Sequence, residues 1–259
     1  MENNYLLIVE GRKTEPNIFQ SVLVKYGFNV VVSDEKLDTA YDIELNYTNF
    51  KKDQNNVFII EGPRNRIHDF LKYYNSNDSL EKALRFANNS FKGIFLMYDV
   101  DHNDEEDIKE MYDKFKDESS GLLLLSSPCI EVLGEYDHER FIECNKVTEY
   151  KADLNKHYCL EYGNVVNYII DNFETLCTYY LDKNYKDFDE PNIMEHPRLV
   201  IELINRYNTR VNYPKDSKEK SYVIYRYLTT VIYVFIAYIN GLTTNIDNYD
   251  NVRNYFLNK

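Results

Sequence analysis

The sequence predicts an α/β domain with a mostly parallel sheet flanked by helices, followed by a mainly helical C-terminal lobe. Two observations predict it. Over residues 1–135, short runs of Val, Ile and Leu alternate with segments whose apolar residues recur at helical spacing. Over residues 136–259 the patterns become longer, helical and rich in Tyr and Asn. With 259 residues, 44% of them hydrophobic, the chain is long enough for one core and a smaller second lobe.

Five apolar runs in the first half are typical of buried strands, at 5–9, 30–32, 57–60, 93–99 and 122–127. Helical patterns separate these runs. Pro16 suits the first turn of one helix, and Pro63 suits the start of another. Further helices are predicted at 80–87 and 104–116. Residues 34–62 fit the alternation less well and are interpreted as a candidate insertion.

The second half contains two strong helical patterns, at 193–205 and 222–240. The polar and basic stretch between them, 209–221, is expected to be an exposed loop and a candidate substrate contact. The most apolar run, 227–239, is too short to cross a bilayer and contains two Thr. It therefore predicts a buried helix, and no contact with a membrane is expected.

The net charge of −13 argues against a protein that binds nucleic acid over its whole surface. The charge is uneven, however. Residues 99–119 hold ten acidic side chains against three Lys, whereas residues 200–259 hold eight Lys and Arg against five acidic side chains. A polyanion can therefore meet a basic region, provided that cations neutralise the acidic one.

The cysteines give no sign of a metal or redox motif of their own. The four of them form no CxxC pair, so neither a structural zinc site nor a thiol exchange motif is indicated. A reduced, cytoplasmic compartment is the expectation. The first residues, MENN, are acidic and polar where a signal peptide is basic.

Acidic side chains follow two of the predicted strands directly. Glu10 ends the first strand, and Asp99 and Asp101 end the strand that starts at 93. In parallel sheets, ligand sites gather at the carboxyl ends of the strands. Two aspartates on the same side of an extended chain repel each other, and a divalent cation offsets that repulsion. Hard oxygen ligands suit Mg²⁺ or Mn²⁺, and Glu10 would complete an acidic triad beside Gly11, which leaves room for a substrate.

A second strand also ends in Glu-Gly, in the stretch VFIIEGPRNR, which contains Glu61. No acidic residue follows it at the spacing seen after Glu10, and no aspartate pair lies one strand away in the expected order. Glu61 is therefore interpreted as having no chemical role, and Arg64 and Arg66 as candidate contacts to nucleic acid at most.

Three motifs in order carry a resemblance to a known family. VEGRKTE and YDVDHND resemble the Toprim domain of topoisomerases, bacterial primases, maturation ribonucleases and OLD-family nucleases. EGRKTEPNIF, DVDH and SSPCIEVL together are similar to the RloB-like branch of bacterial defence-associated Toprim proteins. The resemblance spans residues 5–135, and this chain departs from it with Ser127 in place of Asn and Ile130 in place of Phe.

The resemblance implies a Mg²⁺- or Mn²⁺-dependent nuclease that cleaves DNA or RNA in bacterial anti-phage defence of the abortive-infection type. It implies that Glu10, Asp99 and Asp101 are the conserved Toprim acids, and that Glu15 and Glu131 help to hold metal. A partner ATPase or another subunit of a defence system is a further implication, and a homo-oligomer is left open.

Phosphodiester cleavage is the reaction that such acids suit, because metal ions activate water and offset charge on the leaving oxygen. Glu10 is the candidate general base, and Lys13 with Arg12 are candidate contacts to phosphate oxygens. His102 and Lys151 are weaker candidates, because a histidine in a surface turn and a solvated lysine are ordinary features.

Two other classes of function fit the same residues. One is a non-catalytic Toprim-like module that binds nucleic acid or a partner protein without cutting it. The other is a primase-like nucleotidyl transferase, against which the missing zinc-binding and initiation motifs argue.

Overall fold

The structure is a computed structural model, and it describes residues 4–38, 50–63, 66–77, 91–101, 103–117, 119, 121–135, 141–144, 147–185, 209–211, 222–226 and 228–231. The helices in these residues are α1 Thr14–Lys25, α2 Ile67–Asn77, α3 Glu105–Lys114, α4 Val147–Tyr162, α5 Val165–Asp171 and α6 Phe173–Tyr185. The strands are β1 Asn4–Val9, β2 Asn29–Lys36, β3 Asn56–Glu61, β4 Gly93–Asp99, β5 Lys116–Asp117, β6 Gly121–Ser127, β7 Phe141–Cys144, β8 Thr209–Val211, β9 Tyr222–Arg226 and β10 Leu228–Thr229. A short 3-10 helix spans Ile130–Gly134.

The predicted fold class is confirmed as α/β with a mostly parallel sheet flanked by helices. The six strands of the main path follow the order β10-β6-β4-β1-β3-β2, and β5 pairs with β6. Strand β1 is parallel to both of its neighbours, β3 and β4, and β2 is parallel to β3. Strand β10 is antiparallel to β6. This arrangement is compatible with a Rossmann-like fold.

The central position of β1 explains its unbroken apolar sequence. Leu6, Leu7, Ile8 and Val9 are each 0% exposed, since a strand between two others in a covered sheet has no face toward water. Strand β3 is buried along its whole length for the same reason. It lies inside the segment 34–62 that the sequence marked as a candidate insertion, and it pairs with β1 and β2.

Of the two helices that the sequence marks with Pro, the first has Pro16 in its first turn as predicted, and the second begins later than predicted. Helix α1 begins at Thr14, which makes Pro16 its third residue, and α2 begins at Ile67 instead of at Pro63. Both bury the face that the pattern indicated, which includes Phe19 and Phe70. The predicted helix at 80–87 lies outside the described residues.

The predicted helix at 222–240 is wrong over the part that the structure describes. Strand β9 pairs antiparallel with β7 and β8, and β10 pairs with β6. The run YVIYRYLTT mixes Tyr with β-branched residues, and periodicity alone does not separate a buried strand from a buried helix in so short a stretch. The first residues of the predicted loop 209–221 are likewise a strand, β8, while 212–221 and the predicted helix 193–205 lie outside the described residues.

The chain divides into two compact units. The first comprises residues 1–98 and 102–124, and the second comprises residues 99–101 and 125–259. Strand β6 begins in the first unit and ends in the second. Among the described residues, no helix has the length and apolar character needed to cross a membrane.

Candidate metal centre

In the second unit, the residues that follow β4 run beside the end of β6. The Val100 N–H donates to the Ser126 carbonyl at 2.9 Å, and the Asp101 N–H donates to the Pro128 carbonyl at 3.0 Å. These two hydrogen bonds fix the end of β4 against the Ser-Ser-Pro-Cys turn. Asp99, the last residue of β4, is thereby held close to the segment that carries Cys129.

Three side chains meet where these segments run together. One ligand atom each from Asp99, Cys129 and Glu131 lies within 4.8 Å of the other two. All three residues are buried, and Cys129 is 0% exposed. Ligand atoms at this spacing surround a single ion after small side-chain movements, because bonds from a metal to oxygen or sulfur are about 2.0–2.6 Å long.

The turn that carries Glu131 is held from outside by helices α4 and α5. Gly134, the last residue of the 3-10 helix, lies so close to Val165 that a Cβ placed there would be 2.7 Å from its Cγ2 atom. The Tyr158 hydroxyl donates a hydrogen bond to the Gly134 carbonyl, and the Tyr158 ring stacks on Tyr168 with the centroids 4.0 Å apart. The backbone position of Glu131 is therefore determined by packing, and not by a flexible loop.

The end of β6 is fixed in a similar way by the residues at and after β10. The Leu125 N–H donates to the Thr230 hydroxyl at 2.7 Å, and the Ser126 and Thr229 hydroxyl oxygens lie 2.9 Å apart. All four residues are buried. These side-chain hydrogen bonds satisfy polar groups that burial would otherwise leave without partners.

Lys151, on helix α4, directs its ammonium group at the two carboxylates of the cluster. Its Nζ atom is 3.2 Å from Glu131 Oε2 and 3.5 Å from Asp99 Oδ2. Burial alone would lower the pKa of Lys151, but the negative charges of Asp99, Glu131 and Asp101 outweigh it and raise that pKa above its ordinary value. Lys151 is therefore an ammonium ion at neutral pH and cannot accept a proton there.

The cluster brings several ionisable side chains together. Asp99, Asp101 and Glu131 bring three negative charges when ionised, and Lys151 brings one positive charge. Carboxylates this close repel one another when they are ionised, and a divalent cation among them would offset that repulsion.

The Cys129 thiol is neutral in this environment. Burial raises its pKa first of all, and the negative charges of Glu131 and Asp99 raise the pKa further, against a smaller opposing effect of Lys151. The thiol is free, and it was not singled out as a ligand from the sequence. The signal that would have found it is its spacing, since Cys129 and Glu131 are two residues apart directly after a buried strand.

In the first unit, Glu10 and Glu15 are both buried; Glu10 directly follows β1, and Glu15 lies in the first turn of α1. The Glu10 N–H donates to the Met97 carbonyl of β4 at 3.1 Å, which continues the ladder between β1 and β4 by one residue. A Cβ at Gly11 would lie 2.8 Å from Glu15 Oε2, so the glycine leaves room for that carboxylate. Lys13 occupies the N-cap position of α1 and its side chain is exposed.

Glu61, in the second Glu-Gly pair of the sequence, forms ion pairs with two cationic side chains. Its carboxylate accepts a hydrogen bond from Arg12 Nε and lies 2.7 Å from Lys36 Nζ. It is 5% exposed, whereas Arg12 is largely exposed. The two cations beside it offset the cost of burying this carboxylate.

The structure thus brings together three of the residues that the sequence singled out, Asp99, Glu131 and Lys151, and adds Cys129 to them. Asp101 is close enough to raise the pKa values of Cys129 and Lys151. Glu10, Glu15 and Lys13 belong to the first unit. His102 lies outside the described residues.

Comparisons of the chain with family models, with curated proteins and with solved structures find no match.

Proposed function

We propose that the protein is a metal-dependent nuclease that cleaves phosphodiester bonds of DNA or RNA, with its metal centre at Asp99 and Glu131. The observation that carries the proposal is the buried cluster in which these carboxylates and Cys129 lie within 4.8 Å of one another, beside a lysine ammonium. Carboxylates that are buried at such spacing, with a further acid, Asp101, nearby, favour a divalent cation.

The donor set fits a divalent ion. Asp99 and Glu131 offer oxygen ligands, and Asp101 is near enough to add its charge. The chemistry that such an ion supplies when bound is activation of water and neutralisation of charge on a phosphate. Lys151 keeps a positive charge at the same place, where it can bind a non-bridging phosphate oxygen as the substrate approaches.

The motif resemblance supports the same class of activity and adds residues to it. Glu10 and Glu15, in EGRKTE, are proposed to take part as general base and further metal ligand, and Lys13 as a contact to phosphate. A role in bacterial anti-phage defence, with a partner ATPase or another subunit, belongs to this proposal. These roles stand on the resemblance between the motifs.

The test is cleavage of labelled DNA and of labelled RNA by the purified full-length protein, with Mg²⁺, with Mn²⁺ and with a chelator. We expect cleavage only with a divalent ion, and a loss of about 100-fold or more in Asp99→Asn and in Glu131→Gln. Asp113→Asn is the matched control, because Asp113 is an exposed acid on α3 and its replacement should leave the rate unchanged. Glu10→Gln is measured separately, since it tests the residue carried by the resemblance alone.

The other outcomes each overturn the proposal in a recognisable way. Binding of nucleic acid with no turnover under any ion would make the protein a non-catalytic module. Extension of a strand with nucleoside triphosphates would make it a nucleotidyl transferase. Cleavage that survives both Asp99→Asn and Glu131→Gln would move the centre elsewhere in the chain.

A further inference from the structure

We propose that Cys129 is the third protein ligand of this centre, and that the centre therefore takes a borderline divalent ion such as Fe²⁺, Co²⁺ or Zn²⁺ in preference to Mg²⁺. The inference rests on the proposed function for the location of the site. It goes further by naming the class of metal.

The geometry is the first argument. Cys129 Sγ is one of three ligand atoms that all lie within 4.8 Å of one another, so an ion held by Asp99 and Glu131 also meets the sulfur. The backbone of Cys129 is extended, with φ −155° and ψ 168°, before the chain turns into the 3-10 helix. Cys129 is the residue just before the element that carries Glu131, and the two side chains meet in the same cluster.

The second argument is that the thiol has no hydrogen-bond partner among the described residues. Cys129 is fully buried and free, and no described group makes a hydrogen bond with it. Glu131 Oε2 is also buried and accepts no hydrogen bond from a described group, its only close partner there being the Lys151 ammonium. Among the described residues, no donor forms a hydrogen bond with the sulfur, so its lone pairs are available to a metal ion.

The identity of the metal follows from ligand chemistry. Thiolate sulfur is a soft ligand that binds Zn²⁺ and other late divalent ions of the first transition row, whereas Mg²⁺ prefers oxygen and keeps its water. Binding breaks the S–H bond, releases one proton to the buffer and forms a bond from sulfur to metal, without change of oxidation state. A centre of two carboxylates alone would discriminate between Mg²⁺ and Zn²⁺ less strongly than one that includes a thiolate.

The competing explanation is packing. Cys129 is followed by Ile130, Val132 and Leu133, all buried, and a cysteine in such surroundings often serves as a small apolar side chain. In that case the thiol would stay protonated with or without metal. The two explanations differ in whether a sulfur–metal bond forms.

Cobalt is the probe, because Co²⁺ bound to thiolate gives a charge-transfer absorption in the near ultraviolet that oxygen ligands do not give. Metal-free full-length protein is titrated with Co²⁺ and the band is followed. We expect it to grow until Co²⁺ and protein are equimolar, to be bleached by Zn²⁺ and to resist a large excess of Mg²⁺. Cys129→Ser should abolish the band and weaken Zn²⁺ binding about 10- to 100-fold.

Cys177→Ser is the matched control, because Cys177 is equally buried but lies on α6. It should keep the band unchanged. Cys129→Ala is a second variant, which keeps the site apolar and shows by circular dichroism whether loss of the band follows from loss of the fold. No band in the wild type, or a band that survives in Cys129→Ser, overturns the inference.

Failure of this inference is distinguishable from failure of the proposed function. If Mn²⁺-dependent cleavage is lost in Asp99→Asn but no cobalt–thiolate band forms, the nuclease stands and Cys129 is a packing residue. If the band forms and no cleavage is found, the metal centre stands and its assignment to a nuclease is overturned.

Discussion

At Lys151 a single ammonium group faces two buried carboxylates, Glu131 at 3.2 Å and Asp99 at 3.5 Å. An ammonium in this position stabilises the ionised carboxylates, since it places a positive charge directly beside them. A divalent ion would supply the same charge. The ammonium and a divalent ion would therefore stabilise the same two carboxylates, and each would reduce the stabilisation that the other gives. This effect can be measured as the free energy of unfolding with and without metal.

We predict that Lys151→Met lowers the free energy of unfolding by about 2 kcal/mol in the presence of a chelator, because it removes the ammonium group that stabilises the buried carboxylates of Asp99 and Glu131. The loss is smaller than for a fully buried pair, since the lysine side chain is 31% exposed. Added Mn²⁺ or Co²⁺ should stabilise this variant more than it stabilises the wild type. Thermal unfolding with and without metal measures both effects.

Lys156→Met is the control for that experiment, because Lys156 lies on the same helix with an exposed side chain. It should behave as the wild type at every metal concentration. Equal stabilisation of wild type and Lys151→Met by metal would contradict the prediction, since it would mean that the ion and the lysine do not stabilise the same carboxylates.

At the scale of elements, the 3-10 helix Ile130–Gly134 carries Glu131, and α4 and α5 fix its position. Val132 and Leu133 are 0% exposed, so the turn is part of the core. The geometry of the centre therefore depends on how closely this short element packs against its neighbours.

We predict that Gly134→Ala lowers stability by about 1–3 kcal/mol and weakens metal binding together with it. A Cβ there would be 2.7 Å from Val165 Cγ2 and 3.6 Å from the Tyr158 ring, so the turn that holds Glu131 must move. Gly27→Ala is the control: its φ of +84° makes the change costly by about 1 kcal/mol, but nothing lies within 4 Å of the new methyl group. It should leave metal affinity unchanged by calorimetric titration, and a normal affinity in Gly134→Ala would contradict the argument.

The sequence predicted correctly the strands that are buried on both faces, because such strands need a continuous apolar run. β1, β4 and β6 are buried along nearly their full length, and continuous apolar runs of this length with Gly or acidic residues at the end are typical of central strands. Asp99 was found because it ends such a strand. The sequence could not show that Lys151, 52 residues further on, turns back to it.

Two further features depend on contacts between distant parts of the chain. Strands β9 and β10 were predicted as helix, and only their partners β7, β8 and β6 make them strands. Cys129 was set aside because it has no cysteine neighbour, whereas in the fold its neighbours are carboxylates. Local patterns describe which residues are buried, and they do not describe which residues meet.

At the scale of the whole molecule, the net charge of −13 sets the conditions under which a polyanion can be bound. Nucleic acid and a strongly acidic protein repel each other, and salt and divalent ions weaken that repulsion. The acidic face of α3, which includes Glu105, Glu106 and Asp107 in its first turn, contributes to this charge. Net repulsion at low ionic strength would make binding depend on divalent ions even before any chemistry occurs.

A second property of the whole molecule is a set of buried Tyr and Cys side chains whose pKa values are raised above their ordinary values. Burial raises the pKa of Tyr5 to about 12. Burial, with smaller effects of Glu10 and Asp69, raises that of Tyr98, and burial with Glu174 raises that of Cys177. In the unfolded chain, thiols and phenols titrate at their ordinary values of about 9 and 10. The unfolded state therefore loses protons first as the pH rises.

We predict that stability is fully retained below about pH 9 and then falls as the pH rises toward the folded-state pKa values, by about 1.4 kcal/mol per pH unit for each group between its two pKa values. Urea unfolding at about pH 7.5, 9 and 10.5 measures this, with the midpoint moving to lower urea at each step. Tyr5→Phe removes one ionisable group without removing its ring, so its stability should fall less steeply above about pH 10. A free energy of unfolding that stays constant over this range would contradict the burial of these side chains, and with it the packing of the sheet that holds Asp99 in place.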